Sequence, residues 1–291
     1  MEVGRRDLRA LGAALATGAV LAATTAEAQT PPPASAPSSA STWDAIRARR
    51  SVRIGVTPSE PWYAKDLATG AWTGMGAMLG EQIARDLDAK AEFVETTWAN
   101  APAALQAGQF DLMFVLDPTP ARAAAIDFPF APVLYYALGF MTRTPSPART
   151  WAALDTPDTT IAVPLGTAMD RWLTAHMKQA QITRLGTIDQ TILQYQSGKA
   201  SVLVLYHPAL IAYRLKIGQG DVVVPKPAVV SVAGAGIRRE ADKSWRDYLT
   251  LVLTFYYENG TIEDLYRGYL TSRGMDGAAV PGITKESLVR A

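Results

Sequence analysis

Residues 111–128 read DLMFVLDPTPARAAAIDF. An apolar strand pattern gives way to Asp117 and a turn between two prolines, and the turn fixes one arginine, Arg122, ahead of a second apolar run. The alternation continues on both sides. Strand patterns fall at 52–56, 91–95, 111–115, 160–163, 182–185, 202–205 and 221–224, with helical patterns between them at 75–87, 101–107, 168–178, 188–197 and 208–217. Strands alternating with helices imply an α/β protein whose sheets are mostly parallel. A long amphipathic pattern over 241–258 stops at Asn259-Gly260, and another starts after Thr261, read as its N-cap.

Two apolar runs, 135–142 and 229–237, fit neither a helical face nor an alternating strand. They bracket a separate series of strands and helices. A chain that leaves one lobe, builds a second and returns needs two crossing strands at such places, so both runs read as hinge strands. The expected division is lobe 1 over 51–141 and 233–291, with lobe 2 over 142–232.

With 291 residues, 48% of them hydrophobic, the chain can build a large core or two smaller ones. A net charge of +1 lacks the basic face that nucleic acid requires, so no nucleic-acid partner is expected. The absence of cysteine excludes disulfides, thiolate metal sites and cysteine nucleophiles, and two histidines, His176 and His207, do not make a metal cluster. No cofactor and no metal are expected.

The N-terminus carries Arg5-Arg6, an Ala/Leu/Gly/Val stretch and Ala26-Glu27-Ala28, an A-x-A cleavage site. This is a signal-peptide pattern over 1–28, Tat-like in its twin arginines, with a Sec signal as the rival. Cleavage after Ala28 would leave the protein free in the periplasm. The Pro/Ala/Ser-rich stretch that follows has no apolar period, and a flexible linker is expected over 29–50.

The sequence motifs, in order, are a first strand ending Gly55-Val56, Thr73-Gly74 before the first helix, Thr96-Thr97-Trp98, then ALQAGQFDL over 104–112 and TPAR over 119–122 leading to Asp127-Phe128. Further on come Gly166-Thr167, LQYQSGKASVLVLY and NGTIEDLY. Together they resemble the family 3 periplasmic solute-binding proteins of ABC transporters, amino-acid-binding type, over about residues 51–272. Each motif alone is weak, and the ordered set is specific. The resemblance implies a two-lobed Venus-flytrap fold, each lobe a mostly parallel sheet flanked by helices, joined by two hinge strands and closing on a ligand in the cleft. It also implies a monomer, no enzymatic activity, a small ligand bearing a carboxylate, and an inner-membrane ABC permease as partner.

By that resemblance Arg122 binds the ligand carboxylate, a task suited to its planar fork of donors, with Thr119 of the same motif beside it. The bland alternative for Arg122 is an ion pair with Asp127. Thr167 opens a helix whose free N–H groups can share the carboxylate from the other lobe, or it is only a helix cap. Trp98 and Trp62 are expected as walls of the pocket, with core packing as the alternative for Trp98. Glu60 is either a cleft residue or a solvated loop charge.

Two departures from the family pattern bear on the ligand. Where the family commonly has an aspartate for the ligand ammonium, this chain has Tyr206, followed by His207. A neutral phenol does not replace the lost charge. The loop before the arginine motif carries Asp117 and Pro118; Asp117 either supplies the missing carboxylate from the other lobe or forms a local turn. Tyr206 and His207 alternatively serve a non-amino organic acid. Two rival functions stay open: a periplasmic dehydratase of the cyclohexadienyl type, with Glu60 or Asp117 as its acid, and a soluble sensory or dehydrogenase-associated binding protein.

Overall fold

Thr42–Arg49 forms a helix, α1, in the computed structural model, which describes residues 40–277 and 280–290. The signal peptide over 1–28 and the linker up to residue 39 lie outside the described residues. The linker expected over 29–50 is corrected at its end by α1. Ser41 caps the helix by accepting the Asp44 N–H at 3.1 Å, Ile46 is fully buried, and the Trp43 ring sits 5.1 Å from that of Tyr248. Two turns of helix are too short to show a period in a charged stretch such as DAIRARR.

β1 (Ser51–Val56) runs into a short hairpin, β2 (Ala64–Lys65) and β3 (Trp72–Thr73), and then α2 (Met75–Asp86). Gly74, the α2 N-cap, sits at φ 107°, and an added Cβ would lie 2.4 Å from the Trp62 carbonyl oxygen, so glycine alone fits there. β4 (Lys90–Glu95), α3 (Ala101–Gln106), β5 (Leu112–Leu116) and α4 (Pro120–Ala125) complete the first part of lobe 1. β1 lies between β4 and β5, all parallel.

β6 (Leu134–Thr142) then crosses into lobe 2, built from α5 (Trp151–Leu154), β7 (Thr160–Pro164), α6 (Ala168–His176), β8 (Gln181–Leu185), α7 (Ile188–Gln196), β9 (Val202–Tyr206), α8 (His207–Ile217) and β10 (Asp221–Val223). β7 pairs in parallel with β8 and β9. β11 (Val230–Ile237) returns to lobe 1, followed by α9 (Ser244–Glu258), α10 (Thr261–Ser272) and α11 (Lys285–Arg290).

The two runs read as hinge strands are β6 and β11. Their facing halves pair with each other antiparallel, Ala137 opposite Val230 and Leu134 opposite Ala233. Beyond the crossing, β6 pairs with β9 in lobe 2 and β11 with β5 in lobe 1. Each run therefore has two different environments along its length, which is why neither shows one clean period.

α9 buries Trp245, Leu249, Leu253 and Tyr256, the stripe of an amphipathic helix on a core. It begins at Ser244, three residues later than the sequence pattern. For α10 the expected cap is corrected: Gly260 is the N-cap in a left-handed conformation, and Thr261 is the first helical residue, its hydroxyl bonded to Asn259 Oδ1 at 2.7 Å. Among the described residues no helix is long and apolar enough to cross a membrane.

Candidate functional site

The end of β5 decides where the charges go. Val115 lies at φ 60°, uncommon for a β-branched residue, at the place where β11 shifts register between Gly234 and Ala235. A bulge here adds twist and re-aims the chain that follows. That chain is Asp117, Pro118 and the Thr119 cap of α4, whose hydroxyl accepts the Arg122 N–H at 3.4 Å. The bulge and the cap put Asp117 and Arg122 on the same wall of the cleft between the lobes.

Arg122 is 5% exposed and forms no ion pair among the described residues. Its guanidinium donates only to carbonyls, at long range: Asp117 O at 3.2 Å, Trp98 O at 3.4 Å and, across the cleft, Gly166 O at 3.5 Å. Burial lowers its pKa, and the nearby Asp117 charge opposes the shift. Asp127, the alternative partner, is occupied by Arg239 at 2.8 Å and Lys243 at 2.5 Å.

Asp117 is buried as well. Tyr136 donates to its Oδ1, and Tyr206 to its Oδ2 at 3.1 Å. The Tyr206 hydroxyl is also bonded to Ser231 Oγ at 3.0 Å. This cluster follows from the sheet register: Tyr136 faces Ser231 across β6 and β11, and Tyr206 faces Leu138 across β6 and β9, so the two tyrosines are diagonal neighbours. Their rings stack with centroids 3.6 Å apart. Burial raises the Asp117 pKa against the pull of Tyr136, Arg122 and Tyr206; burial and the neighbouring carboxylate push both phenols well above their ordinary value. Both phenols therefore stay protonated as donors.

The space left between the closed lobes is small, a cavity of about 40 Å³. Arg122, Asp117, Trp62, Trp98, Thr167 and Tyr206 all line it. Trp62 is buried against Tyr136 and Tyr266, with ring centroids 6.0 Å away in each case. Thr167 caps α6, accepting the Asp170 N–H at 3.2 Å, and with Ala168 and Met169 it presents the helix start to the cavity. The first N–H groups of a helix have no acceptor within it, so that start suits an anion.

Thr119 and Glu60 are not part of the lining. The Thr119 hydroxyl caps α4 and accepts Arg171 Nη2 from lobe 2 at 3.3 Å. Glu60 lies in an outer groove and binds Tyr269 Oη at 2.6 Å, Arg273 Nε at 2.9 Å and Lys216 Nζ of lobe 2 at 3.5 Å. Burial tends to raise the Glu60 pKa, but Tyr269, Arg273 and Lys216 outweigh it and the net shift is downward. His207 also stays out of the cavity: it is the first residue of α8, 1% exposed, and its Nδ1 accepts the Ala137 N–H at 3.0 Å. No group of residues that could hold a metal is found among the described residues.

The sequence reading missed Tyr136, Ser231 and Arg171. Ser231 is the sole hydroxyl residue in an otherwise apolar run, a signal that was available. Tyr136 was hidden by its neighbour Tyr135, because only register tells which of the two points to the cleft.

The model of bacterial extracellular solute-binding proteins, family 3, matches residues 52–272. The chain belongs to this family. The amino-acid-binding periplasmic protein AapJ of Rhizobium johnstonii is 26% identical over 223 residues, 73% of this solute-binding protein. The chain spans 65% of that relative's length. Among solved structures, the ancestral amino acid-binding protein AncCDT-1, described as a precursor of cyclohexadienyl dehydratase, superposes with TM-score 0.70 at 28% identity over 79% of this chain and 99% of its own. The solute receptor for L-cysteine of Neisseria gonorrhoeae superposes with TM-score 0.72 at 22% identity over 80% of this chain and 94% of its own, which shows the shared fold.

Proposed function

We propose that this solute-binding protein captures a small carboxylate-bearing solute, an amino acid or a related organic acid, between its lobes. It would act in the periplasm after removal of residues 1–28 and deliver the solute to an inner-membrane ABC permease. The observation that carries the proposal is Arg122, a buried guanidinium lining the cleft that makes no ion-pair contact with any carboxylate among the described residues. A charge so placed is costly unless something brings the counter-ion, and the helix start at Thr167 faces the same space. Among the described residues Gly166, Arg171 and Tyr206 reach across the cleft and Lys216 joins the lobes at the outer groove, so closing the lobes would complete the site and couple occupancy to shape. Melting of the chain against amino acids, hydroxy acids, dicarboxylates and amines tests this: carboxylates raise Tm, amines without one do not, and Arg122→Ala loses the response. A panel with no carboxylate response would overturn it.

One observation favours a second reading. Asp117 is a buried carboxyl whose pKa burial raises, as a general acid requires, whereas Glu60 is held ionised by its cations. Product formation from prephenate or arogenate would establish the dehydratase in place of the binding protein.

A further inference from the structure

The cleft lining contains one cation, Arg122, and one anion, Asp117. They are five residues apart in one loop and helix start, and Arg122 Nη1 reaches the backbone carbonyl of Asp117. Yet their charged ends do not pair with each other: no contact within ion-pair distance joins them. Two opposite charges, both buried on one wall and both held apart by neutral donors and acceptors, are the complement of a zwitterion. A purely structural pair would close directly, since unpaired buried charge is penalised.

The Asp117 carboxylate also has room for a further donor. Each of its oxygens accepts one phenol, Tyr136 on one and Tyr206 on the other, while an ionised carboxylate offers about four acceptor positions. Neither phenol carries a positive charge and no cation among the described residues is in ion-pair contact with Asp117, so a ligand ammonium would be its first direct cationic partner. The rest of the lining has no charge: Val115, Met169, Ile188, Leu205 and Ala209 with the two tryptophans form an apolar wall. Outside the cavity, the groove carboxylates Glu60 and Glu95 already hold Arg273 and Lys65.

Resting on the carboxylate reading of Arg122, we infer that the ligand is an α-amino acid with an uncharged, apolar side chain, whose ammonium is bound by Asp117 of lobe 1 with Tyr136 and Tyr206 as the donors that orient the carboxylate. The carboxylate comes from the loop of lobe 1 that faces the lobe 2 strand end, and the Tyr206 hydroxyl at that strand end touches it. Both charged ends of the ligand then dock on the same lobe before closure, and lobe 2 adds the apolar wall and the helix start.

Calorimetric titration of the full chain separates this from the broader reading. The probes are L-leucine, L-valine, L-lysine, L-glutamate and 2-hydroxyisocaproate, the leucine analogue with a hydroxyl in place of the amine. The wild type is expected to bind leucine or valine at least about tenfold more tightly than the hydroxy acid, lysine or glutamate. In Asp117→Asn the amino acid weakens by about 30-fold, and its advantage over the hydroxy acid collapses toward unity. In Arg122→Ala both acids are lost. Preference for lysine or glutamate overturns the inference, as does a preference for the hydroxy acid, or leucine binding in Asp117→Asn within about threefold of wild type. The wild-type panel needs no variant to fold. Binding of hydroxy acid but no amino acid removes the inference and leaves the carboxylate reading standing, while binding of neither removes both.

Discussion

His207 should make this protein sensitive to mild acid. The imidazole is fully packed at the start of α8, its Nδ1 accepts the Ala137 N–H, and its Nε2 has no partner among the described residues, so protonation of Nδ1 would break the ring's one bond and bury an unpaired charge. Burial pushes its pKa from 6.5 down to about 4. A base whose pKa is lower in the folded state binds more protons when unfolded. Stability is therefore retained above the unfolded value and lost as pH falls from 6.5 toward 4. The gap of about 2.5 units corresponds to about 3 kcal/mol in full, of which about 2 kcal/mol is lost between about pH 7 and pH 5. In a domain of this size that lowers Tm by roughly 5 °C. Asp117, raised by burial, contributes with the opposite sign, and Glu60 and Asp127, lowered, add their losses near and below the ordinary carboxylate range. The assay is therefore a comparison: melting against pH for wild type and His207→Asn, whose amide oxygen can still accept the Ala137 N–H. The variant melts lower at neutral pH and loses the slope between pH 7 and pH 5. Parallel curves for the two proteins would refute the reasoning.

Arg122→Met should leave the ligand-free protein as stable as wild type or more stable by up to about 2 kcal/mol, because it removes a buried charge that makes no ion-pair contact among the described residues. Thermal melting without ligand measures this, and a large fall would give Arg122 a structural role. Glu60→Gln should change ligand affinity by less than about threefold, because Glu60 lies outside the cavity. Its ionic contacts with Arg273 and Lys216 are partly exposed, so chemical denaturation should register a loss of only about 1 kcal/mol.

The sheet was legible because its strands are short, β-branched and separated by amphipathic helices, and the hinge because two long apolar runs had no single period. α1 was hidden for the opposite reason: eight residues with three charges carry little pattern, and the helix depends on Trp43 meeting α9 some 200 residues away. In the site, motif order pointed to Arg122, Thr167 and the two tryptophans. Motif order alone did not separate Glu60 from the cavity, since that depends on Tyr269 of α10 and Arg273 just beyond its end drawing the carboxylate outward. Nor did it reach Tyr136 and Ser231, which are selected by strand register. Asp117 and Tyr206, 89 residues apart in sequence and read separately as departures, prove to be hydrogen-bonded to each other.

The structure of the complex with a bound amino acid tests the central claim most directly. Its carboxylate should lie within about 3 Å of both terminal nitrogens of Arg122, facing the α6 helix start. A ligand seated elsewhere, or bound in the cleft with its carboxylate turned away from Arg122, would contradict it.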